Sequence, residues 1–422
     1  MYIHVVNRGE VLWQIANYYR VDIDEISVAN GLQNPNQLLV GQSLLIPSED
    51  NFYTVKTGDT IWKIADKYGV STQELLWTNR ILSQNLIYPG VVLIIPRKPR
   101  PNIEVNAYTY ILGEKSVPLI DKVGKYLTYL SPFAYVIKED GELQSIDDIP
   151  AIEVSKTENI IPMMSITNFT IASNGENLAH IVLNNPKIIE NLQTNIINIM
   201  RQKGYRGLNI DFENVLPADR EPYNNFLQNT VDRMHKEGFF VSTALAPKIS
   251  KEQSGLLYEA HDYEAHGRIA DFVVLMTYEW GYRAGPPQAI SPLNEIKRVL
   301  DYAITVIPRK KILMGFQIYA RDWVLPHVWG QEAETFSMQE AMERAYKYGV
   351  TIRYDSVTQS SFYNYTDEQG RAHEVWFEDA RSAQAKFNLV KEYNLRGISY
   401  WTLGYPFPQN WVLLEDNFTI LK

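Results

Sequence analysis

The sequence contains no cysteine, which excludes disulfide bonds, thiolate nucleophiles and cysteine-based zinc or iron–sulfur sites. Its seven histidines are scattered, with no pair at helical metal-binding spacing, and we therefore expect neither a metal site nor a cofactor. Apolar runs all fall short of the about 20 residues that a membrane-spanning helix needs, so we expect no membrane insertion. A net charge of −9 without a long basic run argues against nucleic-acid binding, which requires a surface rich in Lys and Arg.

The N-terminus shows no recognisable secretory signal, because residues 1–5 have neither a cationic start nor an apolar core. Apolar residues make up 45% of the chain and charged residues 21%, which is an ordinary balance for a globular protein. A chain of 422 residues exceeds one ordinary core, so we expect several domains, one of them of barrel size. We expect the protein to be a monomer.

The first hundred residues contain an internal repeat at an offset of 49 residues, which indicates duplication. Each copy predicts a short strand, a glycine turn, an amphipathic helix that includes Trp13 in copy one, a second helix and a closing strand. The predicted order is therefore βααβ. Positions that coincide include Gly9/Gly58, Trp13/Trp62, Asn30/Asn79, Gly41/Gly90 and Pro47/Pro96.

The second copy reads Val-x-x-Gly-Asp-Thr-x-x-x-Ile-Ala-x-x-Tyr-Gly-Val from Val55 to Val70 and resembles the LysM module. The first copy has Glu10 and Val11 where the family prefers Asp-Thr. LysM modules bind glycans that contain N-acetylglucosamine, so the resemblance implies glycan contacts near the first turn and before the last strand. The implied contact residues are Gly58, Asp59, Thr60 and Asn79 in copy two and Gly9 in copy one. Helix capping is a second interpretation of Asp59 and Thr60, compatible with the first.

We expect LysM modules at residues 1–48 and 51–97, a stiff proline-containing linker at 98–102 and a catalytic barrel at 103–422.

From Ile103 onward, strand-like apolar runs alternate with helical stretches. Eight strands in β-then-α order predict an α/β fold, a (β/α)8 TIM barrel, and the absence of a glycine-rich phosphate turn argues against a doubly wound sheet. A predicted helix at 333–348 and strands within 352–376 indicate a short α+β insertion between strands seven and eight. The predicted strands are 103–111, 126–137, 160–167, 207–213, 239–247, 271–278, 312–319 and 397–404. The predicted helices include 181–202, 222–236, 291–306 and 382–393.

Strand four carries polar groups at alternate positions near its end, in the run Gly207 to Glu213. Because side chains two apart share a face of a strand, Asn209, Asp211 and Glu213 should point into the barrel, where we expect Asn209 to contact the substrate. A polar network that only stabilises the barrel is one interpretation, but burying ionisable groups costs several kcal/mol and favours a functional role. Glu213 is suited to protonate a glycosidic oxygen, and the like charge of Asp211 should raise the pKa of Glu213.

The same stretch resembles the Asp-x-x-Asp-x-Asp-x-Glu motif of glycoside hydrolase family 18, with Arg206 and Asn209 at the first two acidic positions. The resemblance implies retaining hydrolysis in which the 2-acetamido oxygen of the sugar attacks C1. It makes Glu213 the general acid and then the base, and makes Asp211 the group that orients the acetamido. Residues 165–168, Ser-Ile-Thr-Asn, stand where the family has Ser-x-Gly-Gly.

Three further motifs resemble those of family 18. Tyr278, in Met-Thr-Tyr-Glu-Trp, is implied to donate a hydrogen bond to the acetamido oxygen, and Glu279 replaces the family aspartate beside it. Tyr319, at the end of predicted strand seven, and Asp322, just beyond it, are expected in the cleft. Trp401 matches the tryptophan that forms the floor under the −1 sugar. Packing in the barrel core is the alternative interpretation of these aromatic residues.

Asn209 cannot take a proton from Asp211, because it is an amide. We therefore expect Asp211 to stay charged or to share a proton with Glu213 alone.

Over essentially its whole length the sequence resembles the two-LysM, family 18 N-acetylglucosaminidases of bacterial spores. This implies hydrolysis of β-1,4 bonds after N-acetylglucosamine in spore-cortex peptidoglycan or its fragments, in the spore coat, cortex or cell wall. A chitinase or chito-oligosaccharide hydrolase, or a non-catalytic glycan-binding coat protein, are the alternatives. Retention of Asp211, Glu213, Tyr278 and Trp401 argues against the non-catalytic one.

Overall fold

The structure is a computed structural model that describes residues 1–47, 52–68, 70–81, 87–96, 100–170 and 175–422. It divides into two compact units, Met1–Pro101 and Asn102–Lys422. The expected domain bounds at residues 48, 51, 97 and 98 lie outside the described residues.

The first unit contains two copies of the βααβ arrangement that the repeat predicts. Each copy buries a small apolar core between its helices and a two-stranded antiparallel sheet, with Leu12, Ile15 and Ile26 in copy one and Ile61, Ile64 and Leu75 in copy two. The elements of copy one are β1 (Tyr2–Val5), α1 (Leu12–Tyr19), α2 (Ile23–Asn30) and β2 (Ser43–Ile46). Those of copy two are β3 (Phe52–Thr54), α3 (Ile61–Tyr68), α4 (Thr72–Thr78) and β4 (Val92–Ile94).

Trp13 does not share the buried face of α1, contrary to its predicted place in the amphipathic pattern. The buried positions are Leu12, Ile15 and Ala16, which follow a helical spacing of three and four. Trp13 is 61% exposed and Trp62, its counterpart in α3, is 66% exposed. In both copies the tryptophan is therefore a surface side chain.

The second unit contains the predicted (β/α)8 barrel and its insertion. Its strands are β5 (Asn102–Thr109), β6 (Tyr129–Pro132), β7 (Tyr135–Val136), β8 (Ile161–Thr167), β9 (Gly207–Asp211), β10 (Phe240–Leu245), β11 (Phe272–Leu275), β12 (Ile312–Gln317), β13 (Tyr319–Leu325), β14 (Glu334–Ser337), β15 (Arg353–Asp355), β16 (Ser360–Thr366), β17 (Ala372–Phe377), β18 (Gly397–Trp401) and β19 (Thr419–Ile420). Its α-helices are α5 (Val117–Val123), α6 (Ile149–Thr157), α7 (Leu178–Leu183), α8 (Pro186–Lys203), α9 (Arg220–Lys236), α10 (Tyr263–Ile269), α11 (Leu293–Val306), α12 (Met338–Tyr348), α13 (Ala380–Glu392) and α14 (Pro408–Asn417). Short 3₁₀ turns lie at Gly113–Ser116, Gly124–Tyr126, Pro217–Asp219 and Arg309–Lys311.

Eight parallel strands close the barrel in the order β5, β6, β8, β9, β10, β11, β12 and β18, and β18 pairs with β5. The closure depends on Gly397, because a Cβ there would lie 1.8 Å from the carbonyl oxygen of Glu104 on β5. The barrel was predicted from strand and helix alternation, and the structure confirms it.

Alternate residues of the barrel strands face either its interior or the surrounding helices. Tyr108, Met163, Phe272 and Leu313 come from different strands and pack together, which is possible only inside the barrel. The opposite faces pack against the helices in a second, larger core. The strands are thus buried on both sides, as parallel barrel strands are.

The insertion between β12 and β18 is an antiparallel sheet in the order β14, β13, β17, β16 and β15, and α12 packs against it. Two predicted boundaries change here. The predicted seventh strand ends at Gln317, and Tyr319 begins the first strand of the insertion. The predicted helix at 333–348 begins only at Met338, because residues 334–337 pair with β13.

Other predicted elements are divided or end earlier than expected, and three of them bear on the site. The predicted helix 181–202 is two helices, because Asn185 caps α8 and Pro186 occupies its first turn. The predicted strand 126–137 is divided into β6 and β7. The predicted strand 207–213 ends at Asp211, which leaves Glu213 beyond the sheet.

No helix among the described residues has the length and apolar character that a transmembrane span requires.

Candidate active site

The end of β9 delivers acidic side chains to the interior of the barrel, as the alternation predicts. Leu208, Ile210 and Phe212 belong to the core between strands and helices. Asn209 and Asp211 therefore face inward, and both are buried. The positions of the polar groups follow from the two-residue period of the strand.

Asn209 precedes Asp211 on the inward face, and its amide bonds side chains of two other barrel strands, β5 and β10. Its Oδ1 accepts a hydrogen bond from the Tyr108 hydroxyl at 3.0 Å, and its Nδ2 donates to Ser242 Oγ at 2.9 Å. The residue is fully buried. The structure thus makes Asn209 a support beneath the acids, and does not bring it to the cleft where sugar binding was predicted.

Asp211 is a buried carboxyl group with an unpartnered oxygen. Among the residues that the structure describes, no group donates a hydrogen bond to its Oδ1. Burial raises the pKa of Asp211 well above its usual range, and the charge of Glu213 raises it further. Of the two predicted alternatives, this favours a proton shared between Asp211 and Glu213 over a permanently charged Asp211.

Glu213 lies two residues beyond the end of β9 and is partly exposed. Its backbone is bonded to the side chain of Asn168, which follows β8. Burial raises the pKa of the Glu213 carboxyl, and the acid that adds to this rise is Glu279. A neighbouring acid therefore raises the pKa of Glu213 as predicted, but that acid is Glu279 and not the predicted Asp211.

Glu279 is held by a buried arginine on the insertion. Arg321 donates to both carboxylate oxygens, at 2.8 and 2.9 Å, and is only 5% exposed. The hydroxyl of Tyr319 donates to the same carboxylate. Since Tyr319 and Arg321 are two residues apart on β13, they share the face that meets the end of β11.

Tyr278 lies just beyond β11 and is 9% exposed. Burial raises the pKa of its hydroxyl well above the usual value, and nearby acidic groups that include Asp211 and Glu213 raise it further. The ring fits because residue 315 is a glycine. A side chain there would place its Cβ 2.8 Å from a ring carbon of Tyr278. The structure thus brings Tyr278 to the same end of the barrel as both acids, in its neutral, proton-donating form.

Trp401 ends β18 and is partly exposed. Its ring contacts those of Tyr108 and Phe133, with centroid distances of 5.6 and 4.9 Å and steep interplanar angles. An indole fixed by two edge contacts offers a rigid surface for stacking, as a sugar floor requires.

Asp322 lies on the opposite face of β13 from Arg321, and its carboxylate is engaged inside the insertion. It accepts hydrogen bonds from His373 at 2.8 Å and from Tyr365 and Arg344 at 2.5 Å, and it is 4% exposed. The structure does not bring Asp322 to the cleft, because the chain leaves the barrel strand before Tyr319 and the alternation directs Asp322 away.

The sequence did not single out Arg321, Tyr108 or His261 as site residues. Arg321 could have been found by applying the two-residue period from Tyr319 along β13. Tyr108 and His261 carry no local signal, because they reach β9 from residues about 100 and 50 positions away in sequence.

The LysM candidates are largely engaged within their own modules. Gly9 and Gly58 adopt φ of 85° and 86°, so both serve the turn conformation. Thr60 caps α3 by accepting from the Lys63 amide at 3.1 Å, as predicted, whereas Asp59 accepts from the Lys56 amide at 2.7 Å and closes the turn instead. The Asn79 amide bonds both backbone groups of Ile94 at 2.6 Å, so it attaches α4 to β4.

The described residues contain no group of three or more histidine, aspartate or glutamate side chains placed to hold a metal ion.

Replacing Asp211 with Asn should stabilise the protein at neutral and alkaline pH. A carboxyl whose pKa is raised by folding favours the folded state less as the pH rises above the ordinary pKa of aspartate, and an amide removes that penalty. We expect a gain of about 0.5–2 kcal/mol at pH 8, or a few degrees in Tm, that shrinks towards zero at about pH 3.

Asp262→Asn is the matched control, since hydrogen bonds from the Ala265 amide and Arg220 lower the pKa of Asp262 despite partial burial. It should destabilise at pH 8, and its effect should fade as the pH drops through that lowered pKa. Thermal unfolding across the pH range measures both, and an Asp211→Asn variant less stable than wild type at pH 8 would contradict the assignment.

The chain matches the glycosyl hydrolases family 18 over residues 113–405 and the LysM domain over residues 4–47 and 53–96. It is 49% identical to the cortical fragment-lytic enzyme of Bacillus subtilis (strain 168), over 100% of this chain and 99% of that protein. It is similar to the crystal structure of the spore cortex-lytic enzyme SleL of Bacillus megaterium QM B1551, with TM-score 0.89, 43% identity and coverage of 100% and 98% of the two chains. The SleL structure of Bacillus cereus gives TM-score 0.90 and 41% identity, with the same coverage. The chain belongs to glycosyl hydrolase family 18 and carries two N-terminal LysM domains.

Proposed function

We propose that this family 18 hydrolase is an N-acetylglucosaminidase that cleaves β-1,4 bonds after N-acetylglucosamine in spore-cortex peptidoglycan or its fragments. The observation that carries the chemistry is the buried, unpartnered oxygen of Asp211 beside Glu213. Full-length likeness to enzymes named for cortex and cortical-fragment lysis supports the substrate. The site of action is then the spore cortex or the adjoining coat and wall, and the protein acts as a monomer.

The unpartnered oxygen explains how substrate places the proton on the acid. In the free enzyme, burial of both carboxyl groups and the charge of Glu213 near Asp211 leave one proton between the two. An acetamido N–H that donates to Oδ1 of Asp211 stabilises the ionised form of Asp211. The shared proton then resides on Glu213, which becomes a competent general acid only when a substrate with an acetamido group is bound.

The bond cleavage follows from this arrangement. Glu213 gives its proton to the leaving oxygen while the acetamido carbonyl oxygen attacks C1, and the C1–O bond breaks to form an oxazolinium ion. The Glu213 carboxylate then takes a proton from the water that attacks C1, which restores the acetamido group with retained configuration. Tyr278 donates to the acetamido oxygen, and Trp401 stacks against the sugar.

Glu279 tunes the acid and does not replace it. Its charge raises the pKa of Glu213, but both of its oxygens are bonded to Arg321. This pairing commits the Glu279 carboxylate to Arg321, whereas the Glu213 carboxyl is left for the substrate, so the two glutamates have separate roles. In such sites, different environments give two carboxyl groups different pKa values, and this assigns them different roles.

Glu213→Gln should fold but lose at least about 100-fold in kcat/KM, the scale of a missing general acid. Initial rates on cortex muropeptides measure the loss. Glu221→Gln, an exposed change on α9, is the matched control and should keep wild-type activity. Near-normal turnover by Glu213→Gln would overturn the assignment of the acid.

Digestion of purified cortex should release fragments whose reducing end is N-acetylglucosamine. Mass spectrometry of borohydride-reduced digests identifies the reducing sugar, and N-acetylglucosaminitol is the expected product. Reduced muramic acid would show cleavage of the other linkage and reject the proposal. Faster turnover of chitin oligomers than of cortex muropeptides would identify a chitinase instead.

Removal of residues 1–101 should weaken binding to insoluble cortex while turnover of small soluble fragments changes by less than about threefold. The LysM domains raise the local concentration of enzyme on the polymer, and avidity of this kind leaves the chemistry unaltered. Cosedimentation with cortex and soluble-fragment kinetics give the two readouts. An equal loss on both substrates would argue that the N-terminal unit takes part in catalysis.

A further inference from the structure

The backbone that carries Glu213 lies outside the barrel sheet. The last pair between β8 and β9 is Thr167 with Asp211, so the amide and carbonyl of Glu213 have no strand partner. Asn214 then turns the chain with φ of 53°. Residues 212–214 therefore depend on side chains for hydrogen bonds that a strand would otherwise supply.

Three side chains from other parts of the barrel bond the consecutive carbonyls of residues 212–214. His261 Nε2 donates to the Phe212 carbonyl at 2.8 Å. Its Nε2 must carry the proton, because Nδ1 accepts from the Ala246 amide at 2.8 Å. The third is Asn177, whose amide donates to the Asn214 carbonyl at 2.9 Å.

Asn168 makes the central and the most complete of these contacts. Its Oδ1 accepts from the Glu213 amide at 2.9 Å, and its Nδ2 donates to the Glu213 carbonyl at 2.8 Å. The side-chain amide thus replaces a neighbouring strand, and only one orientation of the amide satisfies both bonds. Asn168 is 8% exposed, so water competes little for either bond.

The carboxyl of Glu213 has no comparable restraint of its own. In the part of the chain that the structure describes, no hydrogen bond or ion pair is made to its carboxylate oxygens. The position of the acid therefore follows from its backbone, and Asn168 fixes that backbone. This residue stands where the family motif Ser-x-Gly-Gly has a glycine, which could make neither bond.

We propose that Asn168 is a positioning residue that holds the general acid Glu213 at the distance and angle needed to protonate the leaving oxygen. The inference rests on the proposed role of Glu213. It assigns a function to the loop after β8, the third strand of the barrel. A glycine at position 168 has no side chain and could not perform it.

Asn168→Ala should lower kcat/KM on cortex muropeptides by about 10- to 100-fold, because misplacement of a reacting group by about 1 Å costs that much. On a dinitrophenyl β-glycoside of N-acetylglucosamine, whose leaving group needs no proton, kcat/KM should fall by less than about threefold. The use of kcat/KM restricts the comparison to the first bond cleavage. KM for muropeptides should change little, since Asn168 supports the acid and does not reach the sugar.

Asn168→Asp is the conservative variant and adds a second readout. It keeps the oxygen that accepts from the Glu213 amide but sets a second oxygen against the Glu213 carbonyl. Its negative charge should raise the pKa of Glu213 further, so the alkaline limb of the kcat/KM profile should move to higher pH. Asn191→Ala, which removes a single amide bond from α8 to the Asp140 carbonyl, is the control and should leave the activity on both substrates unchanged.

An equal loss on both substrates by Asn168→Ala, accompanied by a lower Tm and an unshifted pH profile for Asn168→Asp, would reduce Asn168 to a structural role and overturn the inference. So would unchanged muropeptide activity in Asn168→Ala. If Glu213→Gln itself retains activity, the fault lies with the proposed acid, and the two failures are distinguishable.

Discussion

Two acidic side chains at the same end of a barrel, one ending a buried strand and one two residues beyond it, repel each other unless they hold a proton between them. Asp211 and Glu213 meet this condition because burial raises the pKa of each. The rest of the active end is arranged around that shared proton. Tyr278 is kept neutral by the same burial, and the charge of Glu279 is balanced by Arg321. One end of the barrel therefore holds two carboxyl groups that share a proton, a neutral tyrosine hydroxyl and a carboxylate paired with an arginine.

The residue directly beneath the acids is polar but neutral, because position 209 carries an amide. A third acid at this position would face the hydroxyls of Tyr108 and Ser242 with one more charge to bury. The amide instead accepts from one hydroxyl and donates to the other, at 3.0 and 2.9 Å. The departure from the family motif thus removes a proton carrier and leaves a satisfied hydrogen-bond network, which confines the proton to Asp211 and Glu213.

Sequence patterns predicted what depends on local periodicity. The alternation in β9 gave the facing of Asn209 and Asp211, and the repeat gave two modules of one kind. Prediction from these patterns failed where contacts join segments that are distant in the sequence. The chain leaves the barrel after Gln317. Asp322 therefore faces the interior of the insertion and not the cleft, and Arg321 becomes the partner of Glu279. A run of strand-forming residues cannot reveal that break, because both β12 and β13 satisfy the same pattern.

The two LysM domains keep the same local hydrogen bonds although copy one departs from the family sequence at its first turn. Copy one has Glu10 where copy two has Asp59, yet each carboxylate accepts from the backbone amide three residues earlier at 2.7 Å. Asn30 bonds both backbone groups of Leu45, as Asn79 does with Ile94. The difference that persists is Val11, which cannot cap α1 as Thr60 caps α3. The first turn of copy one is thus built as in copy two, and only the start of its helix lacks a side-chain cap.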